Sequence, residues 1–141
     1  MSTSLAIDVE QTIEIHAAPE QVFEGLLAQM GPENERPDGV SMQMKLEAFP
    51  GGRWFRDLGN SAGHLWAHVQ VIKPPVLLEL CGPLFVSYPA MNFVQYRLEE
   101  AEGGTRLTLR HQAMGSVASE HIEGVQMGWQ HLLEGVKRRS E

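Results

Sequence analysis

The sequence has one cysteine, few basic residues and no long apolar run. Cys81 is the only cysteine in 141 residues, which excludes an internal disulfide and suits a reducing compartment. Eleven Lys and Arg residues stand against eighteen Asp and Glu residues, and the net charge of −7 argues against a nucleic-acid partner. No apolar run approaches the ~18 residues of a membrane-spanning helix, and the N-terminus has neither the basic start nor the apolar segment of a signal peptide. We therefore expect a cytoplasmic protein without a membrane span.

Catalytic and cofactor motifs are also missing, because the sequence contains no GxSxG, P-loop, GxGxxG or CxxC pattern. His64 and His68 have a spacing that would suit a metal site on a helix. Their segment alternates as a strand, however, and residues four apart on a strand are separated by about 13 Å. One ion with bonds of about 2.1 Å cannot join them. We expect no metal and no cofactor.

The same alternation predicts which side chains of this strand face the core. Its apolar set is Leu65, Ala67, Val69 and Val71, and the better inner face is the apolar one. Trp66 is therefore expected on the outer face. There it is either one aromatic residue on a polar surface or the centre of a contact patch.

The rest of the pattern predicts an α+β fold formed by one domain over residues 1–141. Residues 7–15 alternate as a half-buried strand, and Pro19 begins a helix that Gly31 and Pro32 end. A polar, turn-rich loop follows over residues 33–40, then about six strands, and then a C-terminal helical stripe. Consecutive strands form an antiparallel sheet. The simplest arrangement is a curved sheet wrapped around the C-terminal helix, with a cavity between them.

Strand parity places three polar side chains on the apolar side of the sheet: Gln11, Tyr96 and His111. An unpaired buried polar group costs about 1–3 kcal/mol. Either these groups bond one another, the backbone or buried water, or they line a ligand cavity with His111 as a proton carrier. No acid or orienting partner stands at a recognisable spacing from His111, so the sequence assigns no catalytic residue beyond this one candidate.

Met44, Trp54 and Trp129 complete the set of expected ligand-binding residues, with Gln11, Tyr96 and His111. Whether the bulky aromatic residues leave a cavity or fill it is open at this stage. The apolar loop residues Leu84, Phe85, Val86 and Tyr88 either cover the mouth of such a cavity or form a contact surface.

Several segments of the chain resemble one branch of the START-like (SRPBCC) superfamily, the branch named for the activator of the heat-shock protein 90 ATPase. The most specific are the turn "PGG" at residues 50–52, the Pro74-Pro75 turn, the strand "GGTRLTLRH" and the pair Gly128-Trp129. The resemblance implies a helix-grip fold of seven antiparallel strands around a long C-terminal helix, with a hydrophobic pocket between them. Such segments identify a scaffold rather than an activity.

The chain departs from this family pattern after the first helix. Members often carry a tryptophan there in a second short helix, whereas residues 30–42 are polar and contain no aromatic residue. The departure puts that helix and one wall of the usual pocket in question.

Three functions stay open. The first is a module that binds a small hydrophobic or amphipathic molecule in the cavity between sheet and helix. The second is a protein-interaction or homodimerisation module, co-chaperone-like by family name only. The third is a cyclase-like enzyme that uses His111 as acid or base.

Overall fold

A computed structural model of the protein describes residues 5–84, 87 and 89–141. These residues form seven strands and two helices. The strands are β1 (Ile7–Ile15), β2 (Met44–Leu46), β3 (Arg53–Gly59), β4 (Ala62–Lys73), β5 (Leu77–Gly82), β6 (Ala90–Ala101) and β7 (Gly104–Gly115). The helices are α1 (Pro19–Met30) and α2 (Ser119–Ser140).

The seven strands form a single antiparallel sheet in the order β1-β7-β6-β5-β4-β3-β2. Strands β2 to β7 follow one another as hairpins, and β1 returns to pair with β7. The tight turn between β6 and β7 pairs Ala101 with Gly104, and Gly103 takes the positive φ that such a turn requires. The predicted α+β helix-grip fold is confirmed.

The two helices pack closely against each other through glycines. A Cβ atom added at Gly25 of α1 would lie 2.5 Å from the hydroxyl of Ser140. One added at Gly135 of α2 would lie 2.6 Å from the side-chain amide of Gln29. Because neither glycine has a side chain, α1 can lie directly against the C-terminal half of α2.

The parity predicted for the strands at one end of the sheet is confirmed. Val94, Tyr96 and Leu98 of β6 are buried, as are Leu107, Leu109 and His111 of β7, their cross-strand neighbours. On β1, Gln11 lies on the apolar side but is only half-buried.

The parity predicted for β4 is wrong at Leu65, Trp66 and Val71. Trp54 pairs with Ala67 and Phe55 pairs with Leu65, so Trp66 is an extra residue in a β-bulge. The bulge turns Trp66 inward, where it is 8% exposed, and leaves Leu65 42% exposed on the outer face. Trp66 is therefore neither a lone aromatic residue on the outer face nor the centre of a contact patch there.

A second irregularity follows at Gln70 of β4. Val69 pairs with Leu80, but the next pair is Val71 with Glu79, so Gln70 has no partner of its own on β5. Val71 thus shares a face with Glu79, and Ile72 packs against the core in its place.

The chain between α1 and β2 is a loop without a second helix. Arg36 N–H donates to Val40 O at 2.9 Å, and Met42 N–H donates to Asn34 O at 3.0 Å. Gln43 has a φ of 55°, which interrupts the strand pattern and limits β2 to three residues. We call residues 31–43 the α1–β2 loop.

The apolar loop after β5 is described only in part. Leu84 is buried, and its N–H donates to the Trp66 carbonyl at 2.6 Å. Phe85, Val86 and Tyr88, which the sequence placed in the same apolar loop, lie outside the described residues.

Candidate functional site

An apolar cavity of about 340 Å³ lies between α2, the α1–β2 loop and the inner face of β3 and β4. Its inner wall is formed by the buried apolar side chains of Trp54, Trp66, Val125, Trp129 and Leu132, and its opening is bordered by more exposed residues of the loop and of α2. The lining residues are Gln29, Asn34, Glu35, Arg36, Pro37, Met42, Trp54, Trp66, Val125, Gly128, Trp129, His131 and Leu132. We call it the tryptophan cavity.

All three tryptophans of the sequence line this cavity. The Trp54 indole N–H donates to the Met30 carbonyl at 2.8 Å, which satisfies one of the carbonyls left without a partner at the end of α1. Its ring meets that of Trp66 edge to face, with centroids 5.0 Å apart. The bulge in β4 is what brings Trp66 to this wall.

A chain of hydrogen bonds fixes Trp129, the tryptophan contributed by α2. Its indole N–H donates to His111 Nδ1 at 2.9 Å, and His111 Nε2 lies 2.7 Å from Asn92 Oδ1. The Asn92 amide in turn donates to the Pro83 carbonyl at 3.2 Å. Since Nδ1 accepts, Nε2 carries the proton of a neutral imidazole and donates to Asn92.

His111 is held neutral by its surroundings. Burial, and to a smaller extent the nearby His121, lowers its pKa to about 4. Its two nitrogens are occupied by Asn92 and Trp129, so neither is left to exchange a proton with a molecule in the cavity. The geometry gives His111 the role of a positioning residue for Trp129.

The six predicted ligand-binding residues separate into two groups. Trp54 and Trp129 line the tryptophan cavity, whereas the other four, Gln11, Met44, Tyr96 and His111, do not. Tyr96 and His111 lie behind Trp129, with ring centroids 6.5 Å and 5.4 Å from it.

Three of these four residues, Gln11, Met44 and Tyr96, lie in the core or at its edge. Gln11 donates to the Gln126 carbonyl of α2 at 2.8 Å. Met44 is a buried core residue at the start of β2. The Tyr96 hydroxyl has no hydrogen-bond partner among the described residues, and burial raises the pKa of Tyr96. Of the two explanations for these polar groups, hydrogen bonding within the protein accounts for His111 and Gln11.

The sequence prediction missed Trp66, Gly128 and His131 as cavity residues. For α2 a signal was present, because Val125, Gly128 and Trp129 are spaced i, i+3 and i+4 and so share a helix face. His131 borders the same stripe. For Trp66 the alternation pointed to the wrong face.

The opening of the cavity is polar and carries both signs of charge. Arg36 and Glu35 are its charged lining residues. Both ends of the Arg36 guanidinium are taken by Asp38, with Nε 3.2 Å from Oδ1 and a terminal nitrogen 2.5 Å from Oδ2. A Cβ added at Gly128 would meet no atom within 4 Å, so this glycine leaves space at the opening.

Within the described ranges we find neither a metal-binding cluster nor a membrane-spanning helix. No three His, Cys, Asp or Glu side chains in this part of the chain lie close enough together to hold a metal ion. Neither α1 nor α2 is long and apolar enough to cross a membrane.

Solved structures with the same architecture come from several bacteria. A protein from Chromobacterium violaceum superposes with a TM-score of 0.70 at 17% identity, covering 93% of this chain and 94% of that one. A protein from Bacillus halodurans superposes with a TM-score of 0.67 at 17% identity, covering 99% and 100%. The protein CalU16 from Micromonospora echinospora reaches 0.62 at 20% identity, covering 95% and 74%. Likeness at these identities establishes the fold alone.

Comparison with curated proteins gives no match. The family described as "Activator of Hsp90 ATPase homolog 1-like protein" matches residues 16–141, which is nearly the whole chain and includes every element except β1. The chain therefore belongs to the family of activator of Hsp90 ATPase homolog 1-like proteins.

Proposed function

We propose that this protein binds a small apolar or amphipathic molecule in the tryptophan cavity. The observation that carries the proposal is the convergence of all three tryptophans on one apolar space of about 340 Å³. Known small-molecule sites have volumes of roughly 300–1,000 Å³ and walls that are mainly hydrophobic and aromatic. The cavity has the character of such a site and lies at the small end of the range.

The arrangement of the walls also supports a rigid, preformed site. Trp54 is held by the end of α1 and Trp129 by His111, each through its indole N–H. Side chains that are fixed before binding lose little conformational entropy when a ligand arrives. The proposal includes a small hydrophobic molecule as the partner and a cytoplasmic location for the protein.

Naphthalene is a suitable first probe, because it is apolar and flat and its two rings match the size of the cavity. We expect all three indole N–H signals to shift when naphthalene is titrated into ¹⁵N-labelled protein and followed by two-dimensional NMR. Every tryptophan borders the cavity, so this spectrum reports on the site alone. Indole signals that do not move at saturating naphthalene would overturn the proposal.

Two glycines of α2 provide a matched pair for the control. Gly128 lines the cavity and Gly124 does not, yet a Cβ at either would meet no atom within 4 Å. We expect Gly128→Leu to block the opening and abolish the naphthalene shifts. Gly124→Leu should leave the shifts as they are in the wild type.

Self-association is a second candidate, and it rests on the outer face of the sheet. Met91 of β6 and Met114 of β7 pair directly across the strands and are 53% and 48% exposed. Neighbouring exposed apolar side chains can contribute to a patch through which two copies associate. Light scattering after size exclusion tests this candidate: a wild-type dimer that becomes a monomer in Met91→Lys would support it, and a wild-type monomer would exclude it.

A further inference from the structure

The tryptophan cavity combines aromatic walls with a carboxylate at its opening that the protein leaves unpaired. Glu35 of the α1–β2 loop is half-buried and lines the cavity. Its carboxylate has no hydrogen bond and no ion pair among residues 5–84, 87 and 89–141. A negative charge beside an apolar space attracts a positive group, because walls of low polarity screen the charge less than water does.

The cations near the opening are already balanced by other carboxylates. Arg36 lines the cavity beside Glu35, but Asp38 holds both ends of its guanidinium. Arg139, which donates to the side chain of a lining residue, has a terminal nitrogen 3.6 Å from Glu33. The charge at the opening is therefore negative, with the same sign as the net charge of −7 on the whole chain.

Two of the indole rings direct their positive N–H groups away from the cavity. An aromatic ring is negative on its faces and positive at its edge. The N–H of Trp54 donates to the Met30 carbonyl, and the N–H of Trp129 donates to His111 Nδ1. These two rings therefore offer the cavity carbon surface and no hydrogen-bond donor.

Trp54 and Trp66 form a corner in the wall. Their ring planes are inclined at 79°, with centroids 5.0 Å apart. A group that enters the angle between two nearly perpendicular rings meets a face of each. Walls of this kind bind quaternary ammonium groups in aromatic cages, and tryptophan gives the strongest attraction of the aromatic residues.

We propose that the tryptophan cavity binds an organic cation, a quaternary ammonium group on a small apolar body, with the charge against the indole faces and Glu35 as its counterion at the opening. The inference rests on the proposed function, because it requires that the cavity bind a ligand at all. A quaternary group is favoured over a primary ammonium, whose three N–H donors would find no acceptor on the indole walls.

Three probes with the same phenyl ring test this inference on the full chain. Phenyltrimethylammonium carries the cation, tert-butylbenzene has the same shape without charge, and benzenesulfonate carries an anion. Each is titrated at pH 8 and constant ionic strength into ¹⁵N-labelled protein, and the indole N–H signals give the Kd. We expect phenyltrimethylammonium to bind at least about tenfold more tightly than benzenesulfonate, because Glu35 attracts the one and repels the other.

A matched pair of variants isolates the contribution of Glu35. Glu35→Gln should weaken the binding of phenyltrimethylammonium about fivefold, as expected for the loss of one partly exposed charge a few ångströms away. It should leave tert-butylbenzene unaffected. Glu24→Gln removes the same charge from the exposed side of α1, outside the cavity lining, and should leave both probes unaffected.

Fluorinated tryptophan tests the indole faces separately from Glu35. Fluorine withdraws electrons from the ring and weakens its attraction for a cation, with little change in shape. All three tryptophans line the cavity, so replacing every tryptophan with 5-fluoro- and then 5,7-difluorotryptophan alters the ring faces of this site alone. We expect the affinity for phenyltrimethylammonium to fall about twofold with each fluorine, and the affinity for tert-butylbenzene to change much less.

The possible failures are distinguishable. If neither naphthalene nor any of the three probes moves the indole signals, the proposed function itself is wrong. If naphthalene or tert-butylbenzene binds but phenyltrimethylammonium does not, the cation is overturned and the cavity stands. The same conclusion follows if phenyltrimethylammonium binds equally well after Glu35→Gln, or if benzenesulfonate binds more tightly than phenyltrimethylammonium.

Discussion

The inner surface of the sheet has two ends that use similar residues in opposite ways. At the closed end, β6 and β7 bury His111 between Asn92 and Trp129, and every nitrogen of its ring is paired. At the open end, β3 and β4 carry Trp54 and Trp66, and their rings border space instead of further side chains. One end is a solid core and the other is a cavity.

The difference arises from what covers each end. Beneath α2, the closed end is filled by Tyr96, His111 and the apolar residues of β7. The open end is covered by the α1–β2 loop, where the family pattern often has a helix with an aromatic residue. Because this loop is polar and has no aromatic residue, it adds no ring to those of the tryptophans beneath it. The cavity therefore follows from the loop that covers this end and not from the sheet.

The first prediction concerns the bulge that forms the open end. Trp66→Ala should lower the free energy of unfolding by about 3 kcal/mol, at the lower limit for removing a buried tryptophan, because Trp66 already borders empty space. Leu65→Ala, one residue earlier and 42% exposed, should change it by less than about 1 kcal/mol. Urea unfolding followed by circular dichroism measures both.

The reverse order of these two effects would contradict the bulge and restore the simple alternation of β4. Equal effects would mean that both side chains are half-buried. In either case Trp66 would no longer belong to the cavity wall.

Most of the closed end could be predicted from the sequence, because regular strands obey a period of two. His111 has the same strand parity as Leu107 and Leu109, and this alone indicated its inward direction. The helical stripe of α2 likewise predicted that Trp129 faces the sheet. The antiparallel fold followed from the succession of strands and from the family resemblance.

The open end could not be predicted, because its geometry depends on irregularities that leave no periodic trace. The extra residue at Trp66 reverses the faces on either side of it. Met44 was expected at the site, but the positive φ of Gln43 delays the start of β2 until Met44, and Met44 lies in the core. His131 is exceptional only because its Nε2 is buried without a hydrogen-bond partner among the described residues, and this depends on what other elements place around it.

The second prediction compares the paired histidine with the unpaired one. His111→Leu should destabilise the protein by roughly 2–4 kcal/mol, since it leaves both Asn92 Oδ1 and the Trp129 indole N–H buried without partners. His131→Phe should have an effect within about 0.5 kcal/mol, because its Nε2 has no hydrogen bond to lose. Thermal unfolding of the two variants beside the wild type gives the comparison. A costly His131→Phe would show that the open end depends on this histidine for its structure.

The smallest effect is the dependence of stability on pH, which should come from the closed end. The pKa of His111 is about 4 in the folded protein, against its ordinary value of 6.5. Between these two values the unfolded chain binds a proton that the folded protein does not, so the free energy of unfolding falls as the pH is lowered, by up to about 1.4 kcal/mol per unit. Above pH 6.5 both states are neutral at this site and the contribution is complete.

The upper part of this window separates the effect of His111 from that of Glu47. Glu47, whose pKa Arg53 lowers to about 2, loses its stabilising contribution only as the pH falls below its ordinary value of 4.5. His121, whose pKa is also lowered by burial, adds an effect of the same sign. The comparison is therefore between the wild type and His111→Gln, which presents a donor and an acceptor without titrating. Urea midpoints at pH 7, 6 and 5 should fall less steeply in the variant than in the wild type. Parallel curves would mean that His111 binds a proton in the folded protein as readily as in the unfolded chain. That result would contradict the hydrogen-bonded chain from Asn92 to Trp129, in which both ring nitrogens of His111 are already paired.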